Sequence, residues 1–357
     1  MRVLLLTRYG EMGASSRYRS YQFLPYLEEQ GFEVEALPLL DDAYLRARYG
    51  GAGVSRRSIA AAYARRLGQL LRSRQFDLVW LEKEALPWLP GAIESLLLAV
   101  GAPYVVDYDD ALFHRYDQHP AFAVRALLGN KIDRVMRGAA LVIAGNSYLA
   151  ARARAAGARQ VAVLPTVIDL QRYPPAPSAK NEIFTIGWIG TPMTARLHLE
   201  TIRGPLERFC AGGEARVVAI GAGDLGWQAP VEVKAWSGAT EVADLQGIDV
   251  GIMPLPDSPW ERGKCGFKLI QYMACARPVV GSPVGVNDDI IEPGVNGFKA
   301  TTPDAWIQAI DTLRSDRELR HRMGGAGRSL VEQAYCLQVV APRLAGLLRG
   351  AATRTAG

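Results

Sequence analysis

A glycine-rich basic turn, GKCG, runs into an apolar helical stretch, FKLIQYMA, at residues 263–274. Apolar residues recur at spacings of three and four from Phe267 to Ala274, which predicts a helix with one face packed inward. Backbone N–H groups at a helix start have no partner within the helix and lie at the positive end of its dipole. With Lys264 and Lys268 beside them, they predict an anion site, most naturally for phosphate. The alternative is an ordinary loop-to-helix joint with solvated lysines.

Carboxylates cluster where another predicted strand ends, in the run VVDYDDALFHRYDQHP. Asp107, Asp109 and Asp110 are hard-oxygen groups of the kind that bind divalent metals, but aspartates at strand ends also commonly cap the next helix. We favour capping over a metal and keep a further hypothesis, in which Asp109 or Asp110 holds an acceptor hydroxyl or stabilises charge. Glu82 and Glu84 follow a neighbouring strand, where solvation or helix capping is the simpler interpretation.

The composition is that of an ordinary globular protein, with 49% hydrophobic and 22% charged residues among 357. This length exceeds what one hydrophobic core usually holds, so we expect two domains. No apolar stretch reaches the roughly 18 residues of a membrane span, and the first apolar run is too short for a signal peptide. These features predict a cytoplasmic protein. Its four cysteines lack metal-ligand spacing and are expected to be reduced.

Short apolar strands alternate with amphipathic helices, which predicts parallel sheets with helices on both faces. The predicted strands cover residues 2–7, 33–39, 76–83, 103–110, 141–146, 183–190, 215–223, 231–236, 249–255 and 277–285. Helices are predicted near residues 16–31 and from about Arg196 to Cys210. A proline-rich stretch at residues 169–182 interrupts the alternation and predicts a linker between two doubly wound domains.

Glycine-rich turns follow three of the predicted strands. The first contains Gly13 with Arg17 after it, the second contains Gly190 and Thr191, and the third reads IGAGDLG. None of them matches the dinucleotide or P-loop fingerprint. Because the carboxyl ends of parallel strands meet at one edge of a sheet, the turns predict a ligand site in a cleft between the two domains.

Residues 54–74 contain six arginines and no acidic residue, with apolar residues at helical spacing, namely Ile59, Tyr63, Leu67, Leu70 and Leu71. This pattern is typical of a basic amphipathic helix that rests on an anionic membrane surface. The alternative is a surface helix whose apolar stripe packs on a sheet. Nucleic acid is not indicated, because no aromatic residues are interleaved with the arginines in the manner of an RNA-binding surface.

The motifs IGWIG, YMACARPVVGSPVG and EPGVNGF, in that order, resemble those of the retaining glycosyltransferases of family four, the glycosyl transferases group 1. The resemblance covers nearly the whole chain and implies the GT-B fold, an α/β architecture of two Rossmann-like, doubly wound parallel-sheet domains facing a cleft. It implies an acceptor-side domain at residues 1–168, a linker at 169–182, a nucleotide-sugar-binding domain at 183–336, and a helix at 337–357 that crosses back to the first domain.

The resemblance also implies a hexosyltransferase reaction that retains configuration by front-face attack. The donor is a nucleotide-diphosphate sugar used as co-substrate, and the acceptor is a glycan, a lipid-linked sugar or a small molecule, in surface polysaccharide or glycoconjugate synthesis. No tightly bound cofactor and no catalytic metal are expected. The implied donor site comprises Gly13, Arg17, Gly190, Thr191, Trp236, Lys264, Gly266, Phe267, Lys268 and Gln271, and the catalytic candidates are Asp109, Asp110, Glu261 and Lys268.

The family's glutamate pair is absent, and this departure from the family pattern bears on activity. The family usually carries two glutamates eight positions apart, and here these positions read Gly263 and Gln271. Gln271 can still hydrogen-bond ribose hydroxyls, because an amide both donates and accepts. Glu261 or Asp257 is the nearest substitute for the glutamate missing at Gly263. Two alternatives therefore stay open, a non-catalytic partner protein with the same fold and a nucleotide-sugar epimerase.

Overall fold

The computed structural model describes residues 1–49, 53, 55–174, 181–227 and 230–353. Two compact units divide the chain, Met1–Thr166 with Val340–Gly357, and Val167–Val339. Parts of three expected features lie outside the described residues, namely 175–180 of the linker, Val54 of the basic stretch and 354–357 of the last helix. The four cysteines are buried free thiols.

The first unit contains a six-stranded parallel sheet with the order β2-β1-β3-β4-β5-β6. Its strands are β1 Arg2–Tyr9, β2 Glu33–Leu40, β3 Leu78–Glu82, β4 Tyr104–Tyr108, β5 Leu141–Ala144 and β6 Val161–Val163. Strands β3, β4 and β5 are buried along their whole length, which is typical of a sheet covered by helices on both faces. The short edge strand β6 was not predicted from the sequence.

The helices of the first unit connect successive strands. They are α1 Ala14–Arg19, α2 Leu24–Glu29, α3 Asp42–Tyr49, α4 Arg56–Arg72, α5 Gly91–Ala99, α6 His114–Asp117, α7 Phe122–Leu128, α8 Lys131–Gly138 and α9 Ser147–Ala155. The single helix predicted near residues 16–31 is wrong, because Pro25 in the first turn of α2 starts a new helix. The connections from β2 to β3 and from β3 to β4 run in the same direction across the sheet. Since such crossovers are right-handed, α4 and α5 lie on the same face.

The basic stretch forms α4, and its buried side coincides only in part with the predicted apolar stripe, because Leu70 is buried but Leu67 and Leu71 are exposed. Arg66 is 1% exposed and donates hydrogen bonds to the carbonyl oxygens of Thr7 at 2.8 Å and Leu37 at 3.0 Å. Leu71 is 63% exposed and Leu67 also faces solvent. These two strand carbonyls offset part of the cost of burying the guanidinium. No helix in the described part of the chain is long and apolar enough to cross a membrane.

The second unit contains another six-stranded parallel sheet, with the order β12-β11-β10-β7-β8-β9. Its strands are β7 Phe184–Ile189, β8 Ala215–Ile220, β9 Val231–Lys234, β10 Val250–Met253, β11 Val279–Gly281 and β12 Gly297–Lys299. Trp188 and Tyr272 are large side chains in its core, and the Tyr272 hydroxyl links strands β7 and β10 by accepting from Ile189 N and donating to the Ile252 carbonyl. Strand β12 was not predicted from the sequence.

The remaining helices are α10 Pro192–Leu197, α11 Arg203–Cys210, α12 Glu241–Gln246, α13 Pro259–Arg262, α14 Phe267–Ala274, α15 Val286–Ile290, α16 Pro303–Ser315, α17 Arg317–Ala334 and α18 Leu337–Thr353. The continuous helix predicted from Arg196 to Cys210 is wrong. It divides into the end of α10, a 3-10 turn and α11, which has Pro205 in its first turn. Proline lacks the N–H that a helix interior requires, so the chain begins a new helix there.

Candidate functional site

The glycine turn at the start of α14 has the geometry that its sequence predicts. Gly266 is the N-cap residue and has a left-handed backbone, with φ +65° and ψ 15°. This conformation favours glycine, and a Cβ atom here would also displace the end of the Ile290 side chain. Phe267 begins the helix half-buried, and from Leu269 to Ala274 the helix is buried on all sides. Backbone N–H groups are therefore presented at a largely buried helix start.

Lys268 places a cation at this helix start without a described carboxylate as ion-pair partner. Its Nζ lies 4.0 Å from the centre of the Trp188 ring. Burial, and then the nearby ammonium of Lys264, lower the pKa of Lys268 to about 7. Lys264 itself lies over the Trp260 ring, with 5.8 Å between Nζ and the ring centre. An arriving anion would relieve the electrostatic cost of these two neighbouring cations.

Glu261 lies close to this pair of lysines, but its oxygens already accept hydrogen bonds. His198 Nε2 lies 3.3 Å from Glu261 Oε1, and Ser258 Oγ donates to Oε2. Burial, and then Lys268, lower the pKa of His198 to about 4, so the imidazole is neutral at pH 7. His198 was missed because a lone histidine inside a predicted helix carries no local signal. Asp257, the other suggested substitute for a glutamate, is exposed and paired with Arg262 at 2.7 Å.

Gln271 belongs to a buried polar chain in which two further residues were missed. Its Nε2 donates to the Tyr173 hydroxyl at 3.2 Å, and that hydroxyl donates to Glu241 Oε1 at 2.9 Å. Glu241 Oε2 accepts from Trp236 Nε1 at 2.7 Å. Tyr173 and Glu241 come from a loop and a helix start that are 98 and 30 residues from Gln271, so sequence spacing could not reveal them.

The glycine turns after β7 and β8 meet at the carboxyl edge of the second sheet. A Cβ atom on Gly221 would clash with the Gly190 carbonyl and crowd the Trp236 side chain, so these three loops touch one another. Thr191 is the N-cap residue of α10, and its side chain forms a capping box with Thr194. The structure thus brings Gly190, Thr191 and Trp236 to one edge of this unit, as the sequence predicted.

A second polar cluster lies at the carboxyl edge of the first sheet. Lys83 Nζ is 2.7 Å from Asp109 Oδ1 and 3.6 Å from Asp110 Oδ2, and it donates to Ser15 Oγ at 3.1 Å. Lys83 has a left-handed backbone, with φ +63°. Burial would raise the pKa of Asp109, but the Lys83 ammonium and its hydrogen bond outweigh burial and lower the pKa to about 2. Asp109 is therefore a fixed carboxylate, and Asp110 is the more exposed of the two.

The other carboxylates considered from the sequence are committed to buried ion pairs or hydrogen bonds. Asp107 accepts a bidentate pair from Arg19, with both distances 2.8 Å. Solvation or capping is the wrong interpretation for Glu82 and Glu84. Glu82 is buried and accepts from Ser16 Oγ at 2.7 Å, and Glu84 pairs with Lys131 at 2.8 Å. In the described residues, no group of three or more His, Cys, Asp or Glu side chains is arranged to hold a metal ion.

Gly13 and Arg17 lie in the first unit, whereas the other expected donor-site residues lie in the second. Gly13 is the N-cap residue of α1 and donates its N–H to the Gly10 carbonyl at 3.0 Å. The Arg17 guanidinium donates to the Glu11 carbonyl at 3.2 Å and lies over the Tyr18 ring. These contacts describe an ordered turn and do not by themselves indicate a ligand.

Two family models match the sequence, the glycosyl transferase 4-like domain over residues 1–166 and glycosyl transferases group 1 over residues 195–316. No curated protein matches it.

Solved structures resemble the whole chain. HepE of Anabaena, in complex with UDP-glucose, has a TM-score of 0.69 and 17% identity, with 98% of this chain and 100% of that chain covered. Sucrose-phosphate synthase from Thermosynechococcus elongatus has a TM-score of 0.70 and 14% identity, with 98% of each chain covered. WaaG, a glycosyltransferase involved in lipopolysaccharide biosynthesis, has a TM-score of 0.68 and 12% identity, with 98% of this chain and 100% of that chain covered. At these identities the likeness concerns the fold, and it confirms the expected GT-B architecture.

Proposed function

The chain belongs to the group 1 glycosyl transferases of the GT-B type, and on that premise we propose that it transfers a hexose from a nucleotide-diphosphate sugar with retention of configuration. The proposed acceptor is a glycan, a lipid-linked sugar or a small molecule in surface polysaccharide or glycoconjugate synthesis. The observation that carries the donor proposal is Lys268, a cation without a described carboxylate partner at the glycine-capped start of α14. Because HepE binds UDP-glucose, UDP is the first nucleotide to test.

The proposed chemistry needs charge stabilisation and positioning rather than a covalent nucleophile. Lys268 and the N–H groups that follow Gly266 would hold the diphosphate and stabilise the negative charge that grows on it as the glycosidic bond breaks. Lys264 adds a second positive charge nearby. We assign Glu261, held by His198, to the sugar side of the site, and Asp110, beside the fixed Asp109, to the acceptor hydroxyl.

Calorimetric titration with UDP, GDP, ADP, CMP and dTDP tests the donor proposal. We expect one nucleoside diphosphate, UDP first, to bind at least tenfold more tightly than the others, a difference of about 1.4 kcal/mol. Release of UDP from UDP-glucose on addition of an acceptor extract would then separate a transferase from an epimerase, which needs no acceptor. Failure of folded protein to bind any of the five would favour the non-catalytic alternative.

We also propose that the protein docks peripherally on the cytoplasmic face of an anionic membrane, through an outer surface formed by α4 and α5. Both helices lie on the same face of the first sheet, as the strand order requires. Leu96 is 66% exposed, and Leu67, Leu71, Ile93 and Val100 are further large apolar residues exposed on or next to these helices. The exposed arginines of α4 supply charges opposite to those of anionic lipids. Glu94, the acidic residue of α5, is buried.

Flotation with phosphatidylcholine vesicles, with and without phosphatidylglycerol, tests this surface. We expect the wild type to float with the anionic vesicles and the combined Leu67→Ser, Leu71→Ser and Leu96→Ser variant to lose most of that binding, because burial of apolar area and charge attraction act together. A matched control is Phe122→Ser with Leu127→Ser, which removes two exposed apolar side chains of α7. Equal flotation of wild type and the α4–α5 variant would contradict the proposal.

A further inference from the structure

We propose that Glu241 and Tyr173 orient the Gln271 amide so that its oxygen serves as the acceptor for the ribose hydroxyls of a nucleoside diphosphate. The inference rests on the proposed function and adds two positioning residues to the donor site. Because the Gln271 Nε2 group donates to the Tyr173 hydroxyl, the Gln271 oxygen is left to accept hydrogen bonds from a ligand, as a carboxylate would.

The hydrogen-bond chain has one allowed direction. A carboxylate accepts hydrogen bonds and does not donate them, so Glu241 accepts one from the Tyr173 hydroxyl and one from Trp236 Nε1. The Tyr173 hydroxyl has a single proton, and having donated it to Glu241 it accepts from Gln271 Nε2. A flipped amide would set Gln271 Oε1 against the Tyr173 oxygen with no proton between them. No described residue donates to Gln271 Oε1 in the observed orientation.

Burial makes this orientation strict. Tyr173 and Glu241 are almost fully buried, and Gln271 is 4% exposed, so water cannot readily compensate a reversed amide. The Tyr173 backbone is itself fixed, because its carbonyl accepts from Arg328 Nη1 at 2.7 Å, and the same Arg328 nitrogen also bonds the carbonyl of Ala274 at the end of α14.

The groups of the network match the parts of a nucleotide. Gln271 follows Lys268 by three residues on α14, so their side chains are neighbours on the helix surface. Trp236 is 37% exposed, and the hydrogen bond to Glu241 fixes its indole beside the turn at Gly221. The second unit thus contains the Lys268 cation, which suits a phosphate, and the Gln271 oxygen, which suits ribose hydroxyls. The Trp236 ring suits a base.

A reciprocal exchange of the two side chains tests the direction of the chain. Gln271→Glu alone leaves the single proton of the Tyr173 hydroxyl between two buried carboxylates. Glu241→Gln alone lets the Tyr173 hydroxyl donate to Gln271 Oε1, which reverses the orientation of the Gln271 amide. In the double variant, Gln at 241 can accept from Trp236 and donate to Tyr173, whose proton then goes to the new carboxylate at 271. Acceptor character at position 271 is restored.

The measurement is calorimetric titration of wild type, both single variants and the double variant with UDP, and separately with inorganic pyrophosphate. We expect each single variant to bind UDP about fivefold more weakly, the double variant to lie within about twofold of wild type, and pyrophosphate binding to stay the same in all four. Two results would overturn the proposed hydrogen-bond chain, hereafter the relay. One is a loss of UDP affinity in the double variant equal to the product of the two single losses. The other is a Gln271→Glu variant that binds UDP as tightly as wild type.

Tyr173→Phe supplies a second test should a charged variant fail to fold. Without the hydroxyl the Gln271 amide is free to reverse, so we expect UDP binding about fivefold weaker and pyrophosphate binding unchanged; unchanged UDP affinity would overturn the relay. Absence of UDP binding by the wild type would instead remove the donor proposal and the relay with it. Wild-type binding without rescue in the double variant removes the relay alone.

Discussion

Replacing Lys268 by methionine is expected to weaken UDP binding about thirtyfold, or about 2 kcal/mol, as is usual for a charge-assisted contact in a partly buried site. A methionine side chain is long enough to pack over the Trp188 ring, so the substitution removes the charge and changes the packing little. Calorimetric titration of the two proteins with UDP measures the loss. The matched control is Lys299→Met in the same unit, because Lys299 already pairs with Asp288 at 2.7 Å and should not affect binding.

The same residue predicts the pH dependence of UDP binding. In the unliganded protein the pKa of Lys268 is about 7, lowered by burial and then by Lys264, so the ammonium is present below this pH and is lost above it. Above pH 7 the protein must take up a proton to bind the diphosphate, and UDP affinity should fall as the pH rises from 7 to about 9. Lys268→Met should show no such fall. An identical pH profile in both proteins would remove Lys268 from the donor site.

Replacing Lys131 by methionine is expected to destabilise the first unit by about 3–5 kcal/mol, the usual cost of breaking a buried ion pair. Lys131 is fully buried, with Nζ 2.8 Å from Glu84 and 3.0 Å from Glu94. Its ammonium also donates to the Leu86 carbonyl. Removal of this one cation leaves two buried carboxylates without their shared counter-ion, which is far more costly than the loss of packing area.

Urea-induced unfolding of wild type and variant measures this loss. Arg134→Met is a matched control on the same helix, since Arg134 is exposed and its replacement should change stability by less than about 0.5 kcal/mol. Burial already raises the pKa of Glu94. Without Lys131 the buried Glu94 carboxylate should take up a proton at a still higher pH in the folded protein, above the pH at which it does so in the unfolded chain. The deficit should therefore be largest at neutral pH and shrink as the pH falls towards 4. A deficit below about 1 kcal/mol would contradict this view of the cluster.

The elements that sequence reasoning found are those with a strong local signal. Strands β3, β4 and β7 are predominantly apolar, and Gly266 precedes a largely apolar helix, so periodicity and residue type were sufficient. The three-residue strands β6 and β12 have too few residues to show a period. Both lie at the edges of their sheets, whereas the equally short β11 is an interior strand and its stretch was predicted.

Local patterns also misplaced side chains whose environment is set by distant residues. Arg66 was counted among the arginines of a basic helix at an anionic membrane surface, but it is buried, and carbonyls of two strands accept hydrogen bonds from its guanidinium. Glu84 was expected in solvent or at a helix cap, and it is buried against Lys131, 47 residues later in the chain. In each case, hydrogen bonding in the interior outweighed the usual preference of a charged residue for water.

The sequence by itself determined the alternation of strands and helices, the glycine-started helix α14 and the placing of several polar turns at one sheet edge, because these follow from short-range periodicity and from the parallel connections it implies. The tertiary structure alone decided that Lys268 lies over Trp188, 80 residues away in the chain, and that Tyr173 joins Glu241 and Gln271, 68 and 98 residues away. Such partners are chosen by the packing of whole elements. No spacing in the sequence records which side chains that packing brings into contact.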